Sequence, residues 1–347
     1  MSIDIEIQQN RFKSQSQAKF SNFWQQGYFG SFNGADNINI HYAKFIQQKT
    51  YPEHDAPSQK KQSIILLPGR GESYVKYREL AFDLYHQGYN IFIIDHRGQG
   101  LSGRLLSNPD KGYVKKFQDY IDDLRYFIEE IISDDCVDKP YLLAHSMGGA
   151  IAVRFMQDWP NVIKAAVISS PMLGFHAGFL PISFAKSIVT TQLTLNHFIT
   201  QEPWYFLGQK DYAPLSFSKN NLTHCQSRYA ISENWLAENK NIQLGGVTAH
   251  WLKECVKAQD EIFAKLPQLT TPILLLQAGE DSVVSLRAQT DFCRKLHALQ
   301  PKSCPSDVPV IIEGAYHELF FEIDEYRSKA IEKSLSWFKK HNESLYS

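Results

Sequence analysis

Six short runs of almost unbroken apolar residues recur along the chain: SIILLP (63–68), NIFIID (90–95), PYLLAHS (140–146), KAAVISS (164–170), PILLLQA (272–278) and VPVIIEG (308–314). A strand that alternates apolar and polar residues is covered on one face, whereas runs this uniform need cover on both. Patterns of helical spacing fall between most of them, at 73–88, 117–133, 147–158 and 285–299, with a last at 323–341. The alternation predicts an α/β fold, a mostly parallel central sheet with helices on both faces. Ahead of it, YFGSFNGADNINIHYAKF (28–45) carries Asn33-Gly34 between two alternating stretches, which predicts a hairpin turning on that pair and an antiparallel start to the sheet. TYPEHDAPSQKKQS (50–63) is polar and unperiodic and holds two prolines, the composition of a loop.

One interval breaks the alternation. From 172 to 265 no comparable strand occurs, and the segment is rich in aromatic residues and helix-like stretches such as LPISFAKSIVTTQLTL. A gap far longer than an ordinary crossover predicts an insertion. The expected organisation is a core from 1–171 and 266–347, with 172–265 as a mainly helical cap over the carboxyl edge of the sheet. A chain of 347 residues suits one large domain with such an insertion.

A net charge of −1 gives no basic field for nucleic acid, so nucleic acid is not an expected partner. The opening MSIDIEIQQNRFKSQ alternates and carries Asp4 and Glu6, unlike the basic start of a signal peptide. No stretch approaches the ~20 apolar residues that span a bilayer, so any membrane contact is expected to be peripheral. Five cysteines without metal-like spacing read as reduced cytosolic thiols, with Cys293 and Cys304 able to approach across a loop. No metal or organic cofactor is expected.

Ligands of an open α/β sheet sit outside the carboxyl ends of the strands. Ser146, in YLLAHSMGGA (141–150), ends one strand and begins a helix there, with small residues, Ala144 and Gly148, two places before and after it. That spacing suits a tight turn presenting a nucleophile, although the usual pattern has glycine where Ala144 stands. A serine before a helix is also a common N-cap, so companion residues have to decide. A serine hydroxyl needs a general base, and the base an acid to orient it. In chain order, Asp281 follows the strand PILLLQA and His317 follows VPVIIEG. Glu280 competes with Asp281 for the acid role, and His96, which precedes Ser146, reads as a turn residue. Two backbone N–H groups for an oxyanion are expected at Met147 and, in the glycine-rich loop LLPGRGES (66–73), at Arg70.

With these residues in place, the chain resembles serine α/β-hydrolases of the monoacylglycerol-lipase-like branch, and within it the bacterial lysophospholipases. The stretch from LLPGRGES to HRGQGLSGR carries the resemblance, together with YLLAHSMGGAIA, LTHCQSRY, GGVTAHW and GAYHELFFE. Pro68 departs from the branch, where many relatives have histidine. The resemblance implies an α/β-hydrolase fold and hydrolysis of the acyl ester of a lysophospholipid to a fatty acid and a glycerophosphodiester. It places the nucleophile at Ser146, the acid at Asp281, the base at His317 and the oxyanion donors at Arg70 and Met147. It also implies action at the cytoplasmic face of the inner membrane. In the two-step acyl transfer an alcohol can replace water in the second step, which allows transacylation as a side reaction.

A phosphate head group calls for a cation at the pocket rim, for which Arg70, Arg97 and Arg228 are the candidates. The aromatic stretches FHAGFLPISF and EPWYFLG are expected mainly to form the cap's own core, with a few residues lining an acyl groove. A monoacylglycerol lipase or broad carboxylesterase is the alternative. A peptidase would need an acidic cluster for a free amine, and a catalytically dead fold that binds lipid or protein would not need the complete set of site residues.

Overall fold

The computed structural model describes residues 19–47, 61–175 and 182–342. The opening segment, most of the expected 50–63 loop and residues 176–181 of FHAGFLPISF lie outside the described residues. Eight strands form one sheet in the order β1-β2-β4-β3-β5-β6-β7-β8. They are β1 (Tyr28–Asn33), β2 (Asn39–Phe45), β3 (Ser63–Leu67), β4 (Asn90–Ile94), β5 (Tyr141–His145), β6 (Ala166–Ser169), β7 (Ile273–Ala278) and β8 (Val310–Ile312). The β1–β2 and β2–β4 pairs are antiparallel and every other pair is parallel. All six apolar runs therefore lie in the parallel part.

The runs are uniform because neighbouring residues feed two cores. Ile65 and Leu67 of β3 face one core, and Ile64 and Leu66 face the other. The first core is completed by α2 (Gln118–Tyr126), α3 (Met147–Asp158), α6 (Ala249–Ala264) and α7 (Leu286–Leu299). The second is covered by α1 (Arg78–His86) and α8 (Asp324–Asn342). Between β6 and β7 lie α4 (Ile182–Ile199), α5 (Gln226–Glu238) and α6, with isolated bridges but no strand among the described residues. Although α6 falls within the expected cap, it buries Trp251, Cys255, Ala258 and Ile262 in the first core. By contrast, α5 buries no residue fully, and Trp204, Tyr205 and Phe206 of EPWYFLG are only half-buried. The expectation that these aromatics form a core of their own is corrected accordingly.

The hairpin forms, but not on Asn33-Gly34. Gly34 has φ −79°, and the left-handed positions are Asp36 (φ 56°) and Asn37 (φ 58°) in a short 3-10 turn. A distant contact decides this: the Asp123 carboxylate lies where a Cβ on Gly34 would sit, and it accepts the Ala35 N–H at 3.2 Å. Cys293 and Cys304 are buried free thiols, and Cys304 Sγ donates to Ser306 O at 3.1 Å.

Candidate active site

The carboxyl ends of β3, β5, β7 and β8 point the site residues toward one another. Ser146 follows β5 with φ 52° and ψ −115°, a conformation that costs an L-residue of order 1–3 kcal/mol. Its hydroxyl makes no capping bond to α3, so the structure sets the N-cap reading aside. The turn is held by Ser146 N–H donating to Ser169 O at 3.0 Å and by Ser146 O accepting the Met172 N–H at 3.0 Å. Gly148 is required by space, because a Cβ there would stand 2.6 Å from Pro68 O. Ala144 is fully buried in β5, between β3 and β6, where its methyl group is packed into the first core.

Ser146 Oγ lies 3.0 Å from His317 Nε2, and His317 Nδ1 lies 2.7 Å from Asp281 Oδ2. Pairing with the carboxylate assigns the imidazole proton to Nδ1 and leaves Nε2 to accept from the serine hydroxyl. All three residues are buried. Burial alone would raise the Asp281 carboxyl. The bond and charge of His317 and the N–H groups of Val283 (2.8 Å) and Val284 (3.2 Å) outweigh it and hold the group below its ordinary value. Glu280, the competing acid, is exposed, and its N–H donates to Ala315 O. The N–H groups of Arg70 and Met147 donate to no protein acceptor among the described residues.

The base loop is anchored by residues that the sequence reading quoted without assigning a role. Glu322, fully buried, accepts the N–H groups of Tyr316 (2.9 Å), Ile323 (2.8 Å) and His224 (3.0 Å) and pairs with His224 Nδ1 at 2.8 Å. Thr223 Oγ1 donates to Phe321 O at 2.8 Å, and the Glu318 N–H to Leu222 O at 2.8 Å. The LTHCQSRY segment is thus laced to the loop carrying His317. The signal was present as a glutamate closing the apolar GAYHELFFE.

Beside the site, the Lys76 ammonium bridges Glu72 (2.7 Å) and Glu318 (2.5 Å). Burial opposes ionisation of Glu72, but Lys76, the nearby His145 and the Tyr77 hydroxyl hold its carboxyl at about 2. Glu72, His145 and Glu318 bring potential metal-ligand atoms within 4.8 Å of one another, yet Lys76 already supplies the positive charge between the two carboxylates. The His145 ring lies against His317, tilted by 56° with ring centres 4.8 Å apart, and burial pushes its imidazole down to about 3. Its Nδ1 has no hydrogen-bond partner among the described residues.

The three head-group arginines fare differently. Arg97 is fully buried in a two-pronged pair with Asp123, both contacts 2.6 Å, which removes it as a rim residue. Arg228 is taken by Glu79 (2.6 Å) and Asp324 (2.7 Å). The Arg70 side chain turns beneath the segment before α6, donating to Gly245 O at 2.5 Å and lying 5.4 Å from the Trp251 ring centre. A cavity of about 600 Å³ lies between the Arg70 loop, α1 and α5. It is bordered by Arg70, Glu72, Lys76, Arg78 and Glu318, and by none of Ser146, Asp281 or His317.

Sheet order and the strand-end serine, acid and histidine define an α/β-hydrolase. The chain belongs to the family described as serine aminopeptidase, S33, whose model matches residues 58–324. Lysophospholipase L2 of Escherichia coli K12 is 38% identical over 98% of this chain and 95% of its own length. Monoglyceride lipase of Mus musculus is 28% identical over 80% of this chain and 82% of its own. In fold, a soluble variant of monoglyceride lipase from Saccharomyces cerevisiae, solved with a substrate analog, superposes with a TM-score of 0.64 at 18% identity, covering 90% of this chain and 94% of that one.

Proposed function

We propose that the chain is a lysophospholipase that releases the fatty acid of a lysophospholipid through a serine acyl-enzyme. The observation that carries this reading is the 38% identity, along nearly both full lengths, to a protein named lysophospholipase L2, in a chain that places Ser146 Oγ 3.0 Å from His317 Nε2. Ser146 attacks the ester carbonyl while His317 takes its proton and Asp281 holds the imidazole. The N–H groups of Arg70 and Met147 receive the oxyanion, and His317 returns the proton to the departing glycerophospho alcohol. Water then repeats the sequence on the acyl-enzyme, or an alcohol does so in transacylation.

Within 172–265, the part that carries α4 and α5 acts as the cap in this reading, while α6 belongs to the core. Of the cations on the cavity wall, Lys76 and Arg228 are held by carboxylates, whereas Arg70 and Arg78 have no carboxylate partner among the described residues. Arg70 donates to Gly245 O and Arg78 stacks 4.2 Å from the Trp235 ring centre, so these two are the candidates for a phosphate. At the end of α4, Leu195, Phe198 and Ile199 are 51%, 80% and 68% exposed, which suits peripheral contact with a lipid surface on the cytoplasmic face of the inner membrane. No helix among the described residues is long and apolar enough to cross a membrane. The similarity to monoglyceride lipases supports the second reading, an uncharged monoacylglycerol as substrate.

The test is a panel of lysophospholipids and monoacylglycerols of matched chain length, with Ser146→Ala as control. Higher kcat/KM on lysophospholipids is expected; equal or higher turnover of the neutral glycerides would favour the second reading. Activity that survives in Ser146→Ala would overturn both.

A further inference from the structure

The loop after β4, DHRGQGLSG (95–103), supplies none of the groups assigned above, yet it grips the Arg70 loop throughout. Gln99, almost fully buried, donates from Nε2 to Gly69 O at 2.7 Å and to Glu72 O at 2.9 Å, while its Oε1 accepts the Gly71 N–H at 3.2 Å. His96 Nε2 sits 3.2 Å from Pro68 O, and Asp95 receives Ser73 Oγ (2.8 Å) and the Tyr74 N–H (2.5 Å). Gln99 itself is set by left-handed glycines on either side, Gly98 (φ 76°) and Gly100 (φ 55°).

Glycine at 69 and 71 leaves the intervening peptides free to rotate, since glycine imposes little backbone restriction. Gly71, at φ 74°, lies outside the range most residues favour. A planar trans peptide points its carbonyl and its N–H in opposite directions, so holding one aims the other. The carbonyl paired with the Arg70 N–H is Gly69 O. Its other partner, the Glu72 N–H, is distant at 3.4 Å. We infer that Gln99 is a positioning residue for the oxyanion: by holding Gly69 O, it fixes the direction of the Arg70 N–H. The inference rests on the serine-esterase reading of Ser146 and Arg70, though not on the head group.

Kinetics of Gln99→Leu, which removes all three bonds, and Gln99→Glu, which keeps only the acceptor, test it on a soluble p-nitrophenyl ester. Both should lower kcat at least about tenfold and leave KM within about twofold. The Ki of a trifluoromethyl ketone analogue, bound as a tetrahedral oxyanion, should rise by the factor that kcat/KM falls. The Kd of the matching alcohol, which carries no oxyanion, and the acid limb of the kcat/KM profile should not move.

Ketone and alcohol weakening together, or kcat unchanged, would overturn the assignment. Gln99→Met replaces Gln99→Leu if the latter does not fold, and failure of all three variants to fold would reassign Gln99 to a purely structural role. Wild-type protein inert toward the ester would instead overturn the esterase reading itself.

Discussion

Ser146 Oγ sits 3.0 Å from His317 Nε2 on a backbone held at φ 52°. The hydroxyl is committed to the histidine and the strain is local to the serine. Ser146→Ala and Ser146→Gly should therefore both abolish labelling by a fluorophosphonate. The glycine variant should be the more stable of the two by about 1 kcal/mol, because glycine relieves the left-handed strain at a smaller entropic cost. Urea unfolding of the two inactive variants measures this.

Asp281 and Glu280 are adjacent in sequence but opposite in environment. Asp281→Asn should lower kcat by about 10³–10⁴-fold, since an amide cannot hold the Nδ1 proton in the same way. Glu280→Gln should leave kcat and KM within about twofold, as an exposed side chain outside the hydrogen-bonded series predicts. Steady-state kinetics on one ester distinguishes them.

Gly148→Ala would push a methyl group into Pro68 O, at 2.6 Å before relaxation. It should destabilise the fold by about 1–3 kcal/mol and, because Pro68 leads into the Arg70 loop, also reduce kcat. Ala144→Gly, at the corresponding position before Ser146, should show no comparable loss of kcat. Thermal unfolding and kinetics of the pair check this.

Acid should unfold the protein through its buried histidines. Burial lowers His145 to about 3 and His96 to about 4 from the ordinary 6.5. Between those values the unfolded chain binds protons that the folded chain refuses. The contribution of these two histidines is therefore full above pH 6.5 and falls as the pH drops toward 3–4, by up to about 1.4 kcal/mol per pH unit for each. Asp95, which burial raises to about 7, takes up a proton in the folded chain and offsets part of that loss between about pH 7 and 4. His145→Gln should make urea-derived stability less steep in that window. Asp281, held below its ordinary value of 3.8, adds loss only below that pH.

The exposed end of α4 gives a surface test of membrane contact. Phe198→Ser with Ile199→Asn should lower kcat/KM on lysophospholipid presented in vesicles while leaving a soluble short-chain ester unaffected. Equal loss on both would place these residues in the fold or the site instead.

Much of the fold was legible because each apolar run feeds two cores, which leaves a local signature in the sequence. Ser146, Asp281 and His317 could be named because each follows such a run. Contacts between distant segments left no comparable trace. Asn33-Gly34 looked like a turn by itself, but Asp123 shifted the left-handed positions to Asp36 and Asn37. Arg97 looked like a free cation until its pairing with Asp123 buried it. Gln99, Glu322 and Thr223 were unremarkable by composition, because what they do depends on a partner loop far along the chain.

The lacing of Leu222, Thr223, His224 and Arg228 to the loop carrying His317 limits how a substrate can enter. If the whole interval between β6 and β7 swung outward as one door, it would pull on Phe321 and Glu322 and draw the histidine off the serine. Gly245 would at the same time release the Arg70 side chain. An opening that keeps the histidine on the serine therefore has to leave Leu222–Arg228 in place, so that opening the site and disarming it are separate motions.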